Sequence, residues 1–306
     1  MGQCERRQRD KKEKIMRIGL AQMDIFWENV QKNMEKAEDF IKKAKENQAE
    51  LLIFPEMTLT GFSMHVEKTT KDWQQQVHFF EKMSRQYEIS IIFGYPAPAG
   101  EPVGPERGRH GQQLGADLSA GASGQKMYHN HLALAEHGRV RMDYTKLHPF
   151  TFGQEGECFS GGEEIVCTPW KDTMLGAFIC YDLRFPEIFQ ISSAKSELIV
   201  LIANWPVSRI DDWDCLLKAR AIENQAYIAA VNRTGEGGGL LYNGHSALYG
   251  PRGERLTTLC QEESLLIGEV DPEHVRRCRD VFPLKKDRRE ELYRKSRVRV
   301  VPADAR

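Results

Sequence analysis

Three observations in the 306-residue sequence predict an α/β fold with sheets covered by helices on their outer faces. Short apolar runs recur along the chain, each cut by proline, glycine or a charged group. Between them lie segments whose apolar residues return at helical spacing. The second half then repeats the strand and helix alternation of the first. No domain linker and no short-period repeat interrupts this order.

Taken in sequence, "IMRIGLAQM" reads as a buried strand, and Val30, Met34, Ala37 and Ile41 mark a helix ending near Asn47. "ELLIFPE" is the next strand, stopped by Pro55, and "WQQQVHFFEKMSRQYE" carries a second helical pattern. "ISIIFGYP" follows as a strand, and the Gly/Pro-rich stretch 96–125 reads as a mobile surface excursion. "KMYHNHLALAEHGRVRMDYTK" forms two strand-like runs about a His-Gly turn, a predicted hairpin. Beyond it come the strand "TMLGAFIC", a helix from Pro186, the strand "ELIVLIANWP", a helix "DWDCLLKARAIENQ" and the strand "AYIAAVNRTG". Shorter strands are expected over 244–249, 255–260 and 264–270.

Composition narrows the function. The chain is 41% hydrophobic and 28% charged, enough to bury a large core, and its formal net charge of -1 offers no field to gather nucleic acid or an anionic membrane. Small-molecule chemistry is the expectation. Seven cysteines without a CxxC pair fit a reducing compartment rather than a disulfide framework, so a cytoplasmic location is expected. No apolar stretch reaches the roughly 18 residues a membrane span needs. Residues 1–15 read as a flexible charged extension; "MGQCER" begins like a myristoylation site but places Arg6 where Ser or Thr belongs.

Three strand-like runs end in an ionisable or nucleophilic residue: Glu56, Lys146 and Cys180. Brought together, they would supply a base, a cation and a nucleophile. A thiol near its usual pKa of about 8.5 is mostly protonated at neutral pH and needs a base or a positive charge to attack. Taken singly, each has a duller reading, as a solvated rim residue or a small buried hydrophobe.

The surrounding segments carry more. "LLIFPEMTLTGF", "YTKLHPF" and "GAFICYDLRFPE", in that order, resemble the glutamate, lysine and nucleophile segments of the nitrilase, or carbon-nitrogen hydrolase, superfamily. The resemblance runs over residues 16–281, leaving 282–306 as a tail placed at a dimer interface. "ANWP" and "KARAIENQAYIAAVNRTG" are most similar to the ω-amidase-like branch, which hydrolyses the terminal amide of monoamides such as 2-oxoglutaramate or 2-oxosuccinamate.

What the resemblance implies is a four-layer α-β-β-α sandwich of two stacked mixed sheets, a homodimer or higher homo-oligomer, and catalysis without metal or organic cofactor. It makes Cys180 the nucleophile, Glu56 the general base and later acid, and Lys146 the oxyanion-stabilising cation, with the backbone N–H of Tyr181 completing the oxyanion hole. Glu155, rather than Glu157, is taken as the second glutamate. Another amide or N-carbamoyl amine hydrolase of the superfamily differs only in pocket contacts. A catalytically silent scaffold is the alternative of another class, and the Glu56, Lys146 and Cys180 set argues against it.

Five residues are candidates for binding substrate. Arg184 can fork onto a carboxylate or pair with Glu187 or Asp182. Asn204 and Trp205 end an apolar strand, and Phe62 and Phe152 line the pocket or belong to a packed core ring. His129 and His131 share a strand face and lack a metal-like partner spacing, so they read as exposed strand residues. "GEGGGL" is a flexible loop, and neither GxSxG nor a P-loop occurs.

Overall fold

A computed structural model describes residues 15–101 and 127–295. The extension 1–14, most of the 96–125 excursion and the end of the tail lie outside these residues. The first half contributes β1 (Met16–Gln22), α1 (Val30–Glu46), β2 (Leu51–Ile53), α2 (Val66–Thr69), α3 (Trp73–Gln86), β3 (Ser90–Pro98), β4 (Tyr128–Glu136), β5 (Arg139–Thr145) and the short α4 (Glu155–Cys158). The second contributes β6 (Cys167–Trp170), β7 (Thr173–Ile179), α5 (Pro186–Ser192), β8 (Leu198–Ala203), α6 (Ile210–Asn224), β9 (Tyr227–Asn232), β10 (Thr234–Gly237), β11 (Leu240–Asn243), β12 (Ala247–Tyr249), β13 (Ser264–Val270), α7 (Pro272–Val281) and α8 (Glu290–Lys295).

Two mixed sheets result, in the strand orders β13-β1-β2-β3-β4-β5 and β12-β9-β8-β7-β6. In each, three central strands run parallel through helical crossovers and the outer strands are antiparallel. The two-residue period of a strand explains the stacking. On β2, Leu51 and Ile53 join a core shared with Leu175, Ala177, Ile199 and Leu201 of the second sheet, while Leu52 packs outward with Phe40, Ile41 and Phe80 of α1 and α3. Strands apolar on both faces therefore form an α-β-β-α sandwich.

The same parity sorts the polar residues of β4. Asn130 shares the inward face of Leu132 and Leu134, and His131 shares the outward face of Ala133 and Ala135. His131 is consequently buried at 4% exposure, against the expectation of an exposed strand histidine. Its ring stacks on Tyr95, Nδ1 lies 3.1 Å from Asp143, and the Tyr95 hydroxyl donates to the same carboxylate. Burial also lowers neighbouring His129 to about 4.

One expected strand is missing. Residues 255–260 run beside β12 but make only an isolated bridge, Tyr249 to Arg255. Leu248 donates its N–H to the Thr257 hydroxyl instead of to a backbone carbonyl, which ends the ladder.

Candidate active site

Glu56, Cys180 and Asn204 each lie just beyond a parallel strand, where open α/β sheets hold reactive groups. Glu56 follows β2 and stands in a loop pressed against β3. A Cβ on Gly94 would meet Met57 N at 2.5 Å and Glu56 Cα at 2.9 Å, so only glycine allows this approach. Thr58 secures the contact, donating its N–H to the Gly94 carbonyl and accepting the Gly94 N–H at its hydroxyl.

Lys146 immediately follows β5. Its backbone hangs between the Asn130 carbonyl, which accepts its N–H at 2.9 Å, and Gly162, whose N–H it receives at 2.9 Å. The ammonium is buried at 1% exposure between two carboxylates, 3.0 Å from Glu56 Oε1 and 2.8 Å from Glu155 Oε2. Burial works against its charge, but Glu155 and Glu56 outweigh it and hold the lysine pKa well above its ordinary value. Glu155 is raised, first by burial and further by Glu56, with Lys146 opposing. It also accepts the Phe150 N–H at 2.5 Å, whereas Glu157 is exposed.

Cys180 opens a 3-10 turn (Cys180–Arg184) directly after β7, with a left-handed φ of 47°. That conformation is unfavourable for a side-chain-bearing residue and lifts the thiol out of the strand line. The turn is fixed by Asp182, which is fully buried. Its Oδ2 accepts the Ile179 N–H at 3.0 Å and the Tyr144 hydroxyl at 2.7 Å, and its Oδ1 accepts the His148 N–H at 3.0 Å. One carboxylate thereby ties the cysteine turn to both flanks of Lys146. Burial pushes the Cys180 thiol well up, Glu56 and Glu155 add to this, and Lys146 and the Asn204 N–H oppose it.

Two asparagines complete the cluster. Asn130 Nδ2 donates to Glu56 Oε1 at 2.7 Å and to Glu155 Oε1 at 2.9 Å. Asn204 gives its N–H to Glu56 Oε2 at 2.8 Å and its side-chain amide to the Glu56 carbonyl at 2.7 Å. Asn130 was missed from the sequence, although strand parity was a signal for it: a polar residue aligned with two inward leucines.

The expected substrate-binding residues separate. Phe62 lies beneath Lys146 Nζ, 5.4 Å away, and Phe152 is 85% exposed at the rim, 5.9 Å from Phe150. The other three are engaged within the protein. Asn204 holds Glu56, and buried Trp205 stands 5.5 Å from Trp213 with its indole N–H on the Arg209 carbonyl. Arg184 pairs at 2.8 Å with Asp212, not with Glu187 or Asp182, and lies over the Trp205 ring. Tyr181 sets its ring 5.0 Å from Phe150 in an edge-on contact.

The buried Glu-Lys-Glu set beside a turn-mounted thiol lies within a stretch that matches a known family. The profile described as Carbon-nitrogen hydrolase matches residues 17–280. The chain belongs to the carbon-nitrogen hydrolase family. Among the relatives of this hydrolase is a 2-oxoglutaramate amidase of Bacillus subtilis, 29% identical over 279 residues that cover 90% of this chain and 98% of the relative. The omega-amidase YafV of Escherichia coli is 28% identical over 274 residues, covering 89% and 96%. A solved mutant of the amidase from Nesterenkonia sp. AN1 superposes with a TM-score of 0.72 at 26% identity, covering 91% and 95% of the two chains. That protein carries the acetamide moiety of fluoroacetamide covalently on its active-site cysteine. The fold of this hydrolase is thus that of its family. No described helix is long and apolar enough to cross a membrane.

Proposed function

We propose that this hydrolase is a thiol-dependent amidase that cleaves the terminal amide of a small dicarboxylic acid monoamide of the 2-oxoglutaramate type. The observation that carries the reading is Lys146, buried between Glu56 and Glu155 beside the Cys180 turn. The names of the Bacillus and Escherichia relatives support the substrate class.

Because burial and the two carboxylates keep the thiol protonated, attack needs a base, and Glu56 is the carboxylate that takes the proton. Sulfur adds to the amide carbon, and the resulting oxyanion is held by Lys146 and the N–H of Tyr181. This N–H lies in the first turn of a 3-10 segment, where amides lack an acceptor within the turn. The C–N bond breaks as Glu56 returns the proton to the departing ammonia. Water, deprotonated by the same glutamate, then adds to the thioester, and the acid leaves as sulfur recovers its proton. One amide and one water give one acid and one ammonia. Glu155 keeps Lys146 in place and takes no proton in this scheme. A cytoplasmic setting belongs with the proposal, and the six described cysteines, all free thiols, support it.

The test is ammonia release from 2-oxoglutaramate, with Cys180→Ala and Glu56→Ala measured beside the wild type. Each substitution is expected to abolish turnover while leaving the circular dichroism spectrum intact. A Cys180→Ala variant that still releases ammonia would overturn the mechanism. A wild type inert on the oxo-acid amide but active on an N-carbamoyl amine would overturn the substrate class.

A further inference from the structure

A dicarboxylic monoamide carries a charge at the end remote from its amide, so a selective site needs a cation with donors to spare. Among the described residues, four lysine and arginine side chains lie in or around the site, and three are already paired. Lys146 is held by Glu56 and Glu155 and Arg184 by Asp212 at 2.8 Å; Arg233 is fully buried, paired with Asp24 at 3.3 Å and bonded to the carbonyls of Thr234, Ile25 and Glu236, so that only its enclosed Nη1 lacks a partner among the described residues. The fourth, Arg209, has no carboxylate partner among the described residues and is only partly buried.

Its position is nevertheless fixed. Arg209 ends the short 3-10 turn Val207–Arg209 that follows Asn204 and Trp205, and its carbonyl is bound by the Trp205 indole. The guanidinium carbon lies 5.2 Å above the Phe150 ring. Phe150 connects directly to the reacting groups, through its N–H on Glu155 and its ring against Tyr181, the neighbour of Cys180. A guanidinium held over an aromatic ring rather than against a carboxylate keeps donors free for an anion.

Tyr242 is a neighbour of the Arg209 turn. It belongs to β11, which packs against the Val207–Arg209 turn. Burial pushes its phenol up to about 12; Arg233 and Arg209 oppose the rise, while Glu56 and Cys180 add to it. The Arg233 guanidinium lies 4.7 Å over the Tyr242 ring, and the phenol remains neutral at physiological pH.

We infer that Arg209 is the specificity-determining cation of this enzyme, receiving the remote carboxylate of the substrate. The inference rests on the dicarboxylic reading proposed above and names the residue that enforces it. Arg184, whose charge Asp212 already neutralises, does not perform this task.

The experiment compares succinamate with butanamide, a neutral amide of equal chain length, in wild type, Arg209→Gln, Arg209→Lys and Arg184→Gln. Removing one charged partner of a desolvated contact should lower kcat/KM for succinamate roughly 100-fold in Arg209→Gln, chiefly through KM. Butanamide should suffer far less, and Arg209→Lys should recover part of the loss. Titrating succinamate into Cys180→Ala and into the Cys180→Ala/Arg209→Gln double variant reads the same contact without turnover, and binding should weaken by a similar factor. Equal losses on both amides, an unchanged preference in Arg209→Gln, or a loss of preference in Arg184→Gln would each overturn the inference. A wild type without preference for succinamate would overturn the dicarboxylic reading as well, so the two failures are distinguishable.

Discussion

Gly94→Ala tests how tightly the fold positions Glu56, the base of the proposed mechanism. The added methyl would sit 2.5 Å from Met57 N and 2.9 Å from Glu56 Cα, and both are backbone atoms without a rotamer to turn away. Ordinary contact begins at 3.4 Å, so β3 and the Glu56 loop must part by about 0.9 Å. Overpacking of this kind destabilises a core by about 1–3 kcal/mol, within what a domain of this size tolerates. Catalysis is less forgiving, because a displacement near 1 Å at a reacting group lowers rates roughly 100-fold. Urea unfolding and ammonia-release kinetics on the same preparation should therefore diverge, with a modest fall in midpoint and a fall in kcat near two orders of magnitude. A Gly94→Ala enzyme with wild-type kcat would refute the claim that this close approach sets the position of Glu56.

Three further outcomes follow from the geometry. Asp182→Ala leaves the buried Ile179 N–H and Tyr144 hydroxyl without an acceptor, and at about 1–3 kcal/mol for each the unfolding free energy should drop by roughly 2–6 kcal/mol; a loss below about 1 kcal/mol in urea titration would contradict the anchoring role. Asn130→Leu removes the amide shared by Glu56 and Glu155, so the acid limb of the kcat profile should move and kcat should fall roughly 10-fold or more; an unaltered pH profile would show that the amide is dispensable. Lys285, whose pKa burial and the neighbouring Arg279 and Arg288 lower to about 7, donates to the Ser193 carbonyl and hydroxyl. Between pH 7 and the unfolded value near 10.5 the unfolded chain holds more protons, so stability should rise with pH across that window; thermal melts of Lys285→Met should lose this slope.

Much of the site was legible because its chemistry coincides with breaks in local pattern. Glu56, Lys146 and Cys180 each interrupt an apolar run, and the segments around them carry the family resemblance in order. Asp212, the partner of Arg184, was not legible, since it lies 28 residues away and only the packing of the two segments brings them together. Arg209 gave no local signal at all: what distinguishes it is the absence of a carboxylate partner among the described residues, which is a property of the assembled surroundings. Residues 255–260 have strand-like composition, yet a threonine hydroxyl takes the hydrogen bond that a ladder requires. The burial of His131 likewise depends on Tyr95 and Asp143 from adjacent strands.

The two sheets hold unequal shares of the chemistry. Everything that carries charge in the cluster, namely Glu56, Lys146 and Glu155, comes from the chain before β6, and the thiol comes from the chain after it. Cut between the halves, the first fragment would be an acidic pocket with nothing to attack, and the second a cysteine relieved of the two carboxylates that raise its pKa. Ammonia production would then act as a reporter of reassembly, silent for either piece and restored only when the two meet and β13 of the second regains its place beside β1 of the first. The shared core makes that reunion favourable, so the molecule is a ready template for a split enzyme whose signal is the completion of its own fold.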